Sequence, residues 1–204
     1  MLEAQVLYLL SQLSLDAPGL LSKLLDHDNP YKPILPYLTQ SSVPEDPIPL
    51  LASSVLTSFA SHAQTLRPKL SPHSEDALRQ LYKYQAGLVK AQDNGLKDIA
   101  VQQFSALLRT KKAREIFWNQ KEANLNPLFD ILREAVGAAR DADSTLWSGA
   151  TSIRSATDTT LGGGVGLQLL YHVLLVVWQV SFEGTLVAKG LERFVAWSDV
   201  LWPS

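Results

Sequence analysis

The chain contains no cysteine, which excludes disulfide frameworks, thiolate metal sites and cysteine nucleophiles at once. Histidine is scarce as well. His27, His62, His73 and His172 stand far apart, so a histidine metal cage would need long-range convergence. There is no basic surplus: 18 Lys and Arg face 20 Asp and Glu, a formal charge of −2, whereas a nucleic-acid binder needs a clear positive excess. The opening MLEAQVLYLL carries Glu3 where a secretory signal would carry positive charge, so the expected compartment is the cytosol. No run of alternating apolar and polar residues makes a convincing strand.

What the sequence has in quantity is helical periodicity, over 204 residues that suffice for one domain or two small ones with a real core. Leu2, Val6, Leu9, Leu10 and Leu13 mark a first helix, and Pro18 opens a short second one carrying Leu20, Leu21, Leu24 and Leu25. A further helix is expected over residues 33–40. Asp46 is placed to cap, and Pro47 to begin, a longer helix bearing Ile48, Leu51, Ala52, Val55 and Phe59. After a polar linker at 62–74, Ser74 is expected to cap a helix with Leu78, Leu81, Tyr82, Leu88 and Val89 on one side. Asp93-Asn94-Gly95 turns into a helix over 96–110, whose Ala100, Val101, Phe104, Leu107 and Leu108 form a wide apolar face. A short helix around Ala113, Ile116 and Phe117 follows, and Asn126-Pro127 supplies cap and first turn for Leu128, Phe129, Ile131, Leu132 and Ala135.

Residues 138–163 differ in kind, being rich in Asp, Ser, Thr, Ala and Gly, and are expected to form a flexible insertion loop. The stretch 164–183, GVGLQLLYHVLLVVWQVSFE, is largely apolar, and Gln168, His172 and Gln179 are its strongly polar residues within the helical run. At 100° per residue these three fall within roughly 40° of one another. One narrow polar stripe on an otherwise apolar helix predicts a central layer with neighbours on both flanks. A transmembrane span is the rival reading, but the two Gln and the His would each need a buried partner, and orienting basic flanks are lacking.

An internal repeat organises these elements. From residue 112 the order is short helix, turn, longer helix, and then the helix at 166–182, the short-medium-long pattern of an armadillo unit. Gly95-Leu96 and Gly166-Leu167 are offset by 71 residues. Removing an insertion of roughly 27 leaves about 44, within the ~40–47 residues of armadillo and HEAT units. The expected fold is therefore all-α, an armadillo/HEAT-like right-handed helical solenoid over residues 1–183, followed by a divergent tail at 184–204. In that tail Val187, Leu191, Phe194 and Val195 have the spacing of one closing helix.

Candidate sites are few. Gly162-Gly163-Gly164-Val165-Gly166 is not a phosphate loop, because no strand precedes it and no Lys-Ser/Thr follows. Asp141 and Asp143 lack a third ligand nearby and read as solvated acids. His172 reads as a hydrogen-bonded structural residue, with no nucleophile or carboxylate on its own helix face. Trp118 and Trp178 read as packing residues. Arg109, Lys111, Lys112 and Arg114 form the basic cluster, either meeting the dipole at the end of the 96–110 helix or contacting an acidic partner helix. Trp147, alone among polar neighbours, is a candidate anchor for a partner. No catalytic constellation, cofactor motif or metal site emerges, which points to a scaffold.

The blocks REIFW (114–118), PLFDILR (127–133) and LGGGVGLQLLYHVLLVVWQVSFE (161–183) carry a resemblance. So do Leu25-Asp26-His27-Asp28-Asn29-Pro30-Tyr31 and the run from Pro44 to Leu51. Over most of residues 20–183 the chain resembles the regulatory H-subunit family of V-type proton-pumping ATPases, in its fungal form. The resemblance implies a non-catalytic helical component on the cytosolic side, between the ATP-hydrolysing sector and the membrane sector. Such a component supports coupled hydrolysis and proton pumping, and restrains hydrolysis when the sectors separate. The implied partners are peripheral-stalk subunits and the cytosolic part of the large membrane-sector subunit. Family members are longer, so the chain is expected to be a truncated form. The alternatives are a generic armadillo-type adaptor, a small helical enzyme using His172 or the Asp141/Asp143 loop, and a membrane helix at 165–182.

Overall fold

The computed structural model describes residues 2–16, 18–41, 43–44, 46–67, 69–141, 160–161 and 165–182. Its helices are α1 (Leu2–Asp16), α2 (Pro18–Leu25), a 3-10 turn (Leu35–Thr39), α3 (Pro47–Leu66), α4 (Pro72–Val89), α5 (Asn94–Leu107), α6 (Lys111–Asn119), α7 (Lys121–Asp141) and α8 (Leu167–Ser181). The described extended structure is one two-residue antiparallel pairing, β1 (Thr160–Leu161) with β2 (Val165–Gly166), in the register Thr160 to Gly166 and Leu161 to Val165.

The helices stack in two files. One contains α1, α3, α5 and α8 side by side; the other contains the 3-10 turn, α4 and α7. Cross-contacts of α3 with the 3-10 turn, α4 with α5, and α7 with α8 join the files, while α2 packs on α3 and α6 on α4. This is an all-α helical solenoid, in which each tier hides its apolar side against the next. The expected equivalence of α5 and α8 appears as adjacency in the same file.

The core runs along the junction of the files. Tyr82, Phe104 and Phe117, from α4, α5 and α6, are fully buried, with ring centroids 5.1 to 5.9 Å apart. Two of the three contacts are edge-on, a geometry worth about 0.5–1.5 kcal/mol per pair beyond the area buried. The Tyr82 hydroxyl reaches the carbonyls of Leu107 and Ala113, both at 3.3 Å, so its polar tip is satisfied at the α5–α6 corner. Gln64 of α3 stitches the same corner: its amide nitrogen donates to the Leu107 carbonyl at 2.9 Å, and its oxygen accepts from the Thr110 amide and hydroxyl.

The capping chemistry settles the helix starts. Asp46 accepts from the Ile48 amide at 2.9 Å with Pro47 in the first helical position, as the sequence predicts. Asp93 accepts from the Leu96 amide at 2.8 Å and starts α5. The cap of α4 is Ser71, not Ser74. Pro72 takes the first helical position, and Ser74 lies buried in the first turn, donating its amide to Ser71 and meeting the Tyr31 hydroxyl at 3.1 Å. The helix expected over 96–110 ends at Leu107, because the Thr110 hydroxyl caps α6 through the Ala113 amide. The helix expected over 33–40 is the shorter 3-10 turn.

Asn126-Pro127 does not start a helix. It lies inside α7, which begins at Lys121. Buried Asn124 fixes that earlier start by donating its side-chain amide to the Phe117 carbonyl at 2.9 Å. Pro127 removes the bond to Ala123, an exposed residue, which limits the cost of the missing donor. Past Gly137, Ala138, Ala139 and Arg140 are good helix formers, and α7 continues to Asp141, so the insertion begins later than expected.

The apolar helix α8 has 15 residues and spans about 22 Å, short of a ~30 Å bilayer core. No helix among the described residues is long and apolar enough to cross a membrane. Leu169, Val173, Val176 and Val180 form its buried face. Neighbours on both flanks were the expectation; among the described residues, α8 packs on α5 and α7 and its opposite face carries no described neighbour. Tyr171, Leu174, Trp178 and Phe182, which share the opposite face, are 51% to 63% exposed. Trp178, expected to be a core or cap packing residue, stands more than half exposed, its ring meeting Phe182 edge-on at 4.6 Å.

Candidate partner interface

The polar stripe of α8 faces α5. Asp98, near the start of α5, receives three donors on its carboxylate: the Nδ1 of His172 at 2.6 Å, the amide of Gln168 at 3.0 Å and that of Gln102 at 2.9 Å. Further along the seam, Gln179 donates to the Ser105 carbonyl at 3.3 Å. His172 and Asp98 are both mostly buried, and a charge-assisted hydrogen bond held out of water is among the stronger single links between helices. The carboxylate that His172 lacks on its own helix thus comes from 74 residues upstream. A signal for it exists: Asp98, Gln102, Ser105 and Arg109 have the spacing 4-3-4, and so do Gln168, His172, Leu175 and Gln179. The two stripes lie in register in successive tiers.

These stripes line an open groove of about 660 Å³ bounded by Gln102, Ser105, Arg109, Tyr171, His172 and Gln179. Polar and apolar lining are about equal, Ala106 and Leu175 contributing to the latter, and Arg109 is among the lining residues. Among the described residues no hydroxyl hydrogen-bonds the imidazole of His172, so a nucleophile–base pair is not assembled there.

The basic cluster divides by role. Arg114 points inward, donating to the carbonyls of Leu108 at 3.1 Å and Arg109 at 3.2 Å, where α5 has ended. Arg109 donates its Nε to the Ala106 carbonyl at 3.3 Å, and its guanidinium reaches the Thr65 hydroxyl at 3.5 Å. Lys112 lies 3.6 Å from Glu75 of α4 while half of its side chain stays exposed. Lys111 is exposed at the first position of α6. Arg109, Lys111 and Lys112 therefore present charge outward, and Arg114 does not.

The remaining candidates separate as clearly. Trp118 is partly buried against the core, with the Lys121 ammonium 5.6 Å from its ring centroid. His62 meets the Ser22 hydroxyl at 3.1 Å and His73 meets the Asn29 amide at 3.2 Å, both as links between neighbouring elements. Asp141 ends α7, while Asp143, Trp147 and Gly162-Gly163-Gly164 lie outside the described residues. Gly166 stands at the start of α8 in extended conformation.

The family model for the V-ATPase H subunit matches residues 3–198. No curated protein and no solved structure gives a significant match. The matched span takes in both files of the solenoid, the α5–α8 seam and most of the segment after α8. By that match over nearly its whole length, the chain belongs to the V-ATPase H-subunit family.

Proposed function

We propose that this chain is a non-catalytic regulatory scaffold of a V-type proton-transporting ATPase, supporting coupled ATP hydrolysis and proton transport from the cytosolic face of the vacuolar or endomembrane. The observation that carries the reading is the family match across residues 3–198. The stacked files add a physical reason: a solenoid offers a long surface whose tiers can hold several partners at once. The proposed partners are peripheral-stalk subunits and the cytosolic part of the large membrane-sector subunit.

Within that surface, the basic rim of Arg109, Lys111 and Lys112 beside the α5–α8 groove is the proposed contact for an acidic partner helix. Trp147 is the proposed apolar anchor. Arg114 supports the rim without touching the partner. Charge reversal at Lys111 and Lys112, read by capture of peripheral-stalk subunits on the immobilised full chain, tests the site. The expected result is a capture loss of about tenfold or more that deepens as salt is lowered. Undiminished capture removes the rim from the interface, and absence of capture by the unsubstituted chain overturns the pump reading.

The second reading is a generic adaptor binding an extended segment in the groove, whose lining mixes Gln102, His172 and Gln179 with Ala106 and Leu175. It predicts groove-dependent capture of peptides with no association with pump subunits.

A further inference from the structure

A second open groove, of about 600 Å³, lies between α4 and the corner where α6 gives way to α7. Lys83, Lys90 and Lys121 line it, and Glu122 is the one carboxylate among its lining residues. Among the described residues, none of the three ammonium groups pairs with a carboxylate. The chain as a whole carries a formal charge of −2, so this positive groove runs against the overall balance. Two of its residues also go against local preference. Lys121 opens α7, where the partial positive charge of a helix start disfavours a cation, and the Trp118 ring 5.6 Å away is a weak substitute for a counter-ion. Gly87 lies inside α4, where alanine would be the better helix former. Among the described residues a Cβ there would meet nothing within 4 Å, so packing within the chain gives no reason for the glycine. Local rules broken without internal compensation are expected where a chain meets something else.

We propose that this groove is the docking site for an acidic helical segment of a partner protein. Charge complementarity selects the sign of the occupant, because three uncompensated cations face one carboxylate. Lys83 and Lys90 lie seven residues apart on α4, nearly two turns, so they share one face with about 10 Å between them. A line of charge that long matches carboxylates repeated turn by turn along a helix better than it matches a single small anion. Ala86, Gly87 and Ala123 add little bulk to the lining, and glycine is the residue that lets a second backbone come closest. A bilayer surface fits less well. Among the described residues, no exposed large apolar side chain belongs to α4, α6 or α7, so no apolar edge is present to enter lipid. The groove shares no lining residue with the α5–α8 groove or with its basic rim, so it is a separate contact. The inference goes beyond the pump reading without depending on it.

The probe is a fluorescein-labelled, alanine-based peptide of about 16 residues, long enough to be helical, with glutamates at alternating spacings of three and four. Its binding to the full chain is followed by fluorescence anisotropy at low salt. Lys83→Glu with Lys121→Glu is expected to weaken binding by about tenfold or more. Glutamate is a good helix former and suits the start of α7, so this variant is expected to fold. Lys32→Glu with Lys69→Glu makes the same charge change on exposed lysines outside the groove and should leave binding within about twofold. Gly87→Ala should raise the melting temperature yet weaken binding several-fold, since its methyl group improves the helix and fills only space kept for the occupant. No binding by the unsubstituted chain, undiminished binding by the Lys83 and Lys121 variant, or an equal loss in the Lys32 and Lys69 control overturns the proposal. Unchanged binding by Gly87→Ala overturns the close helical approach. Displacement of the peptide by inorganic phosphate at equal concentration would give the groove to a small anion instead. Capture of phosphatidylserine vesicles that is lost with Lys83→Glu and Lys121→Glu would give it to a lipid surface, and either result overturns the proposal.

Discussion

Arg114 and Lys111 lie three residues apart in one basic cluster, yet their surroundings give them opposite work. The guanidinium of Arg114 takes two carbonyls left unpaired where α5 ends, whereas Lys111 stands exposed at the opening of α6. Arg114→Ala is therefore expected to lower stability by about 1–2 kcal/mol, and Lys111→Ala to change it by less than about 0.5 kcal/mol, in urea unfolding. A second residue-scale expectation concerns alkali. Burial pushes the phenols of Tyr31 and Tyr82 above their ordinary range, and burial together with the nearby Asp46 carboxylate pushes Tyr84 up to about 12. A raised folded-state pKa means that the unfolded chain ionises first. The stabilisation is complete below about pH 10, the ordinary tyrosine value, and declines as pH rises above it toward the folded values. The melting temperature should thus fall above about pH 10, and Tyr84→Phe should make that fall shallower. A fall of equal slope in the variant would remove Tyr84 from the explanation. The basic cluster itself is visible in the sequence. Which cation turns inward is not, because that depends on where α5 stops, and Thr110 decides that as the cap of the next helix.

Caps explain much of what was legible among the elements and much of what was not. Asp46-Pro47 is unambiguous because carboxylate and ring act on adjacent positions. Ser71-Pro72 carries the same logic, but the serine at 74 competes with it in sequence, and only the tertiary contact of Ser74 with Tyr31 separates the two. Asn126-Pro127 misleads for the related reason that Asn124, two residues earlier, anchors α7 to Phe117. At the start of α5 the cap is also crowded: a Cβ on Gly95 would stand 2.9 Å from the Asp93 carboxylate oxygen. Asp93→Ala is expected to cost about 1 kcal/mol through loss of the cap. Gly95→Ala should be more favourable in the Asp93→Ala background than in the unsubstituted chain, since the crowding is then gone and alanine is the better helix former. Thermal or urea unfolding of the four proteins checks this, and equal effects of Gly95→Ala in both backgrounds would refute the crowding.

At the scale of the molecule, stacking was legible and its partners were not. Helical periodicity and the repeat offset place α5 and α8 in equivalent positions, and the structure sets them side by side in one file. Periodicity also reveals that α8 is apolar on more than one face, but it carries no information about which face has a covering partner. Tyr171, Leu174, Trp178 and Phe182 read like core residues for that reason and stand exposed instead. Asp98 escaped for the complementary reason: a carboxylate on one helix acquires its meaning only when the next tier brings Gln168 and His172 to it. The seam they form fixes the register of α8 on α5, and with it the groove, the basic rim beside it and the orientation of the outer apolar face. A double-mutant cycle tests that register most directly: unfolding free energies near pH 7 for the unsubstituted chain, Asp98→Ala, His172→Ala and the pair. The account expects a coupling of about 1 kcal/mol, reduced from a fully buried pair by the solvent that reaches the site. Additivity within about 0.3 kcal/mol would mean that α8 does not lie against α5 in this register, and would contradict the stacked solenoid on which the interface rests.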